Sequence, residues 1–173
     1  MTIDTKLPVA NVQTVDFTVT RVTVCSDKSF EEVIGTLESI VGDGEYKVFE
    51  ELVEAKAPFE HVKDVLESML GNSGFMLFFL ADMGALMSLM GKPKNAKLYL
   101  IGNPLIANQM IEHDTAVGLY VPPRVLVYDD YEGKTYITYD KPSSLMGQFQ
   151  NGFISQVAQA LDQKFAQVAE AVT

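Results

Sequence analysis

The stretch FMLFFLADMGALMSLM, Phe75–Met90, decides how the rest of this sequence is read. Its first six residues, Phe75 to Leu80, are apolar without a break and follow the turn residues Asn72, Ser73 and Gly74. That pattern predicts a strand buried on both faces. Asp82 then stands where a helix N-cap belongs, accepting a hydrogen bond from the amide of Gly84 or Ala85. The short helix that follows stops at Gly91-Lys92-Pro93. A second reading competes with this structural one. Met83, Met87 and Met90 share a helix face beside a single carboxylate, which is how an apolar pocket with one polar handle looks.

Working outward, elements alternate on both sides. Val15–Val24 is rich in β-branched residues and reads as a strand, bulged where its alternation changes phase near Thr20. Ser29 and Glu32 fit a capping box, and Phe30, Val33, Ile34, Leu37 and Val41 continue at helical spacing until Gly42. Val48, Phe49, Leu52 and Val53 predict a short helix, and Pro58 opens another through Phe59, Val62, Leu66, Met69 and Leu70. Downstream, Lys97–Ile101 is a strand ending at Gly102, with Asn103 as cap and Pro104 as first residue of the next helix. Arg124–Tyr128 and Thr135–Tyr139 form a hairpin turning through Asp130 to Gly133. From Met146 to Val172 apolar residues step by three or four, predicting one long amphipathic helix capped by Ser143 or Ser144, with Gly147 and Gly152 as weak points.

The 173 residues suit a single domain, 1–173, with residues 1–13 as an N-terminal arm. A formal net charge of -10 argues against nucleic acid and against an anionic membrane surface, since both repel an acidic chain. The apolar run is shorter than the roughly 18 residues of a membrane span and is interrupted by Asp82 and Gly84. Nor does the N-terminus have the basic start and apolar core of a secretory signal. One cysteine, Cys25, forms no internal disulfide, which fits a cytoplasmic protein.

No phosphate-binding glycine loop, nucleophile elbow or zinc-type cysteine pair is present, and no cofactor or metal is expected. His113 and Asp114 stand together at a helix end, either as a base beside a carboxylate or as a histidine favoured by the helix dipole. Gly102-Asn103-Pro104 is better read as turn and cap than as an anion site, because Pro104 has no amide to donate. His61 falls on the polar side of its helix, and neither histidine is close in sequence to Cys25.

From Gly74 onward the sequence resembles a family catalogued as domain of unknown function 302. The resemblance is carried by GFMLF at the strand, IGNP at Ile101–Pro104, HDTAVGLYVPPRVLVYDD from His113, and GKTYITYDKPSSL from Gly133. It implies an α+β fold with a curved, mainly antiparallel sheet and helices on one side, similar to the TATA-binding-protein-like β-α-β(4)-α arrangement. On this resemblance residues 43–73 are a helical insertion and the protein is a homodimer. Relatives usually carry histidine after the junction aspartate, where this chain has Met83. The expected function is binding of a small apolar molecule between sheet and helices, lined by Phe79, Met83, Met87, Tyr120 and Arg124 with Asp82 as handle. Two alternatives stand beside it. One is an enzyme of acid–base isomerase, cyclase or lyase type using Asp82, with His113 and Asp114 as further candidates. The other is a structural homodimer without a ligand.

Overall fold

The structure is a computed structural model that describes residues 12–92 and 94–173. Residues 1–11 of the expected arm, and Pro93 of the expected helix stop, lie outside the described residues. The chain is α+β, built on one six-stranded curved sheet. Its strands are β1 (Arg21–Ser26), β2 (Gly42–Asp43), β3 (Met76–Asp82), β4 (Ala96–Gly102), β5 (Arg124–Asp129) and β6 (Thr135–Asp140). They lie in the order β1-β6-β5-β4-β3-β2, and all neighbours are antiparallel except the parallel pair β2 and β3. The helices are α1 (Phe30–Ile40), α2 (Tyr46–Glu54), α3 (Phe59–Ser68), α4 (Met83–Leu89), α5 (Pro104–Ile111), α6 (Pro142–Met146) and α7 (Gly152–Val172).

The core lies on one face of the sheet. Tyr99 and Ile101 of β4, Val125 and Val127 of β5, and Ile137 and Tyr139 of β6 meet Val33 and Leu37 of α1 and Leu161 and Phe165 of α7. Side chains of a strand alternate in direction, so Leu98, Leu100, Leu126, Tyr128, Tyr136 and Thr138 face the other way. The capping box holds α1 at its start: the Glu32 carboxylate accepts from the Ser29 amide at 2.9 Å, and the Ser29 hydroxyl accepts from the Glu32 amide. Donation from the Ser29 hydroxyl, then from its backbone N–H, keeps the Glu32 carboxyl below the usual range.

Three expectations need correction. The first strand occupies Arg21–Ser26 rather than Val15–Val24. Its partner β6 ends at Asp140, opposite Arg21, so residues before Arg21 have no strand to pair with. Thr20 instead donates its amide to the Ser144 hydroxyl at 2.9 Å and accepts from the Lys141 amide at 2.8 Å. Second, β3 is not buried on both faces, since Phe79 is 54% and Leu80 38% exposed. β2 reaches only Met76 and Leu77, and the bulge lies here, between Leu77 and Phe79, not near Thr20. Third, the C-terminal helix is interrupted. α6 passes through a 3-10 turn at Gly147–Phe149, Gln150 takes a left-handed φ of 49°, and Asn151 caps α7 by accepting from the amides of Phe153 and Ile154. Asn151, not Ser143 or Ser144, is the cap of the long helix.

The segment holding α2 and α3 is anchored by a close approach of backbone to backbone. The Phe75 carbonyl accepts from both the Gly42 and Gly71 amides, each at 2.9 Å. A Cβ on Gly42 would strike the Met69 carbonyl, and one on Gly71 the Ile40 carbonyl. Only glycine fits at either position. Gly42→Ala and Gly71→Ala are each expected to lower the melting temperature clearly, whereas Gly35→Ala, which meets open space, is expected to leave it unchanged or raise it. Thermal unfolding of the three variants followed by circular dichroism checks this.

Candidate ligand clefts

The bulge in β3 and the prolines around α5 create an apolar cleft. Asn103 fixes one end of it: its side-chain oxygen accepts from the Leu105 amide at 2.9 Å and the Ile106 amide at 3.3 Å, starting α5. Its amide nitrogen donates to the Gly74 carbonyl at 3.1 Å, tying α5 to the turn before β3. Across from α5 runs the segment Val121-Pro122-Pro123, with a cis bond between Val121 and Pro122. Between these walls lies a cleft of about 250 Å³, lined by Phe75, Phe78, Ile106, Ala107, Met110 and Pro122 among others. Its polar side chains are Asn103, already spent on three hydrogen bonds, and Asn108, which is exposed. Such a lining accepts apolar surface and offers no acid, base or nucleophile.

A second cleft adjoins it. Phe78 stacks on Phe49 of α2, with centroids 5.9 Å apart and planes at 24°. Together with Pro104, Phe78 lines both the first cleft and a wider one of about 450 Å³ walled by Leu52, Val62 and Leu66. The helices of residues 43–73 therefore extend the apolar surface beyond α5.

The residues predicted from sequence are dispersed. Asp82 is an exposed N-cap whose carboxylate accepts from the Ala85 amide at 2.8 Å, as expected for one of its two readings. Met83 is exposed and Met87 half-buried on α4, and Leu86 and Leu89 of that helix and Met90 just beyond it are exposed too. Phe79 lies on the uncovered sheet face opposite Leu100. Only Tyr120 and Arg124 come together, in a separate cleft on the far side of Val121-Pro122-Pro123. Asp114 accepts from the Ala116 amide at 2.9 Å and starts a 3-10 turn, while the His113 ring packs at 4.5 Å on Phe153. These two do not form a base–carboxylate pair.

Three phenols, those of Tyr99, Tyr136 and Tyr139, are pushed above the usual tyrosine range, Tyr139 mainly by burial. Burial, then the Glu38 carboxylate that accepts its hydroxyl at 2.8 Å, pushes the Tyr99 phenol far up. The Cys25 side chain, and further on Asp130, push the exposed-side Tyr136 phenol up to about 12. Among the described residues no three His, Cys, Asp or Glu side chains gather as a metal site, and no helix is long and apolar enough to cross a membrane.

The lining of the α5 cleft was not picked out from sequence. Its available signal was the pair of turn motifs Gly102-Asn103-Pro104 and Val121-Pro122-Pro123, which topology brings face to face.

A sheet covered by helices on one side, with apolar clefts at its proline-rich end, defines the class of fold. The chain belongs to the family described as Domain of unknown function DUF302, whose model matches residues 52–172. That match begins within the expected 43–73 insertion and takes in all of α3. The crystal structure of an uncharacterized conserved protein DUF302 from Bacillus stearothermophilus is similar to this chain, with a TM-score of 0.62 at 18% identity. The similarity covers 88% of this chain and 98% of that one, and it establishes a shared fold. No curated protein matches the chain.

Because Asn caps a helix about as well as Asp, Asp82→Asn is expected to leave stability nearly unchanged, while Asp82→Ala costs about 1 kcal/mol. Urea unfolding of both variants measures the difference.

Proposed function

We propose that this protein binds a small apolar molecule in the cleft between α5 and the Val121-Pro122-Pro123 segment. The observation that carries the reading is the composition of that cleft, where Phe75, Phe78, Ile106, Met110 and Leu161 converge and the one inward amide, Asn103, is already satisfied. An apolar molecule entering it loses contact with water against a lining that is almost wholly apolar. The site on this reading sits on α5 rather than on the methionine-rich α4. The acid–base reading through Asp82 has less support, because that carboxylate is exposed and bonded to the Ala85 amide. With one cysteine and no internal disulfide, a cytoplasmic location fits the proposal.

A homodimer is the second reading. Phe79, Leu86, Leu89 and Met90 leave apolar area exposed on or beside β3 and α4, and closed twofold dimers are the commonest oligomers. Sedimentation at micromolar concentration is expected to give twice the monomer mass, and a monomer alone overturns it.

Ala107 is half-buried and lines the cleft, so Ala107→Leu fills space there that is open in the wild type. Binding of a neutral naphthylamine fluorophore is expected to weaken about tenfold in this variant, or 1.4 kcal/mol, with melting little changed. Equal binding by the wild type and Ala107→Leu places the fluorophore elsewhere and overturns the assignment.

A further inference from the structure

The cleft beyond Val121-Pro122-Pro123 differs in chemistry from the α5 cleft. Its volume is about 370 Å³, and its walls include Leu100, Tyr120, Pro122 and Leu145, with Arg124 and Asp140 as the charged residues. Three strands set the charges out in a row. Asp140 pairs with Arg21 across β1 and β6, and Val125 pairs with Tyr139, which brings Arg124 one position further into line with Asp140. The Asp140 carboxylate is taken by Arg21, whose Nε lies 3.0 Å from it. Arg124 makes no ion pair or side-chain hydrogen bond among the described residues. With the Asp140 carboxylate held by Arg21, the exposed Arg124 guanidinium stands unpaired at the rim of the cleft, beside its apolar wall.

The aromatic wall of this cleft is braced. Tyr120 meets Phe17 edge-on at 6.0 Å and Phe149 at 6.1 Å, and its hydroxyl lies 3.3 Å from the Gln148 side-chain oxygen. Leu100 stands directly opposite Arg124 on β4, so apolar surface and charge are adjacent on neighbouring strands. An arginine fork pairs with a carboxylate through two parallel hydrogen bonds, and the apolar wall beside it suits a hydrocarbon chain.

We infer that the Arg124 cleft is a binding site for a monocarboxylate with an apolar body, of the medium-chain fatty-acid type. The carboxylate pairs with the Arg124 guanidinium and the chain lies against Leu100, Tyr120 and Leu145. This site does not depend on the α5 cleft.

Calorimetric titration of the full chain with octanoate, and with octanol as its uncharged counterpart, tests the assignment. Octanoate is expected to bind the wild type, to weaken about tenfold in Arg124→Gln, and to recover only part of that affinity in Arg124→Lys, which keeps the charge but not the fork. Octanol is expected to bind the wild type and Arg124→Gln alike, and Ala107→Leu is expected to leave octanoate binding unchanged. No octanoate binding to the wild type, or binding that Arg124→Gln leaves unaltered, overturns the inference. So does octanoate binding lost in Ala107→Leu, which assigns the carboxylate to the α5 cleft. If octanoate does not bind and Arg124→Gln instead dissociates a dimer in sedimentation, the free charge serves a second copy of the chain, and the inference fails.

Discussion

Every second side chain of the three central strands is committed to one oily layer. Tyr99, Ile101, Val125, Val127, Ile137 and Tyr139 all face α1 and α7, and a slip of one residue in any strand would turn that set to water. This constraint fixes register across β4, β5 and β6, and register fixes the rest. It sets Arg124 beside Leu100, carries Arg21 opposite Asp140, and leaves Leu98, Leu126 and Tyr128 on the uncovered face. At the margin of the layer, Tyr99 and Lys97 both donate to one Glu38 oxygen, so α1 is held to β4 by polar bonds as well as by packing.

Much of this was legible in the sequence where local chemistry and tertiary packing agree. Ser29 with Glu32, Asn103 with Pro104, and Asp130 with Gly133 each declare an element boundary by a hydrogen bond made within a few residues. Reading failed where the outcome depends on a distant partner. Nothing near Val15 says that β6 ends at Asp140, and nothing in FMLFFL says that β2 will cover only its first two paired residues. The break before α7 falls between the two weak points Gly147 and Gly152, but its cap is Asn151 rather than a serine, and Gln150 absorbs the turn.

The sites were less legible than the fold. Methionines cluster at Met83 to Met90, but clustering in sequence does not determine enclosure, and Met83 and Met90 are both exposed. Clefts arise where separate segments face each other. The walls of the α5 cleft come from Phe75, Pro104 and Pro122, which are distant along the chain and carry no shared pattern. Tyr120 and Arg124 line one cleft because both lie on the short path from the 3-10 turn into β5.

The carbonyl of Phe75 has one more consequence. It receives the amides that open and close the excursion through α2 and α3, so that stretch leaves the sheet and returns to it at the same atom. Such a segment behaves as an appendix clasped at its root. Loop-closure entropy grows only slowly with length, so residues between the two glycines can be added or removed over generations at small cost to the sheet. Phe49, Leu52, Val62 and Leu66 on the appendix wall the outer cleft. Variation in its length and side chains is thus a means of altering which molecules are admitted while the scaffold beneath stays fixed.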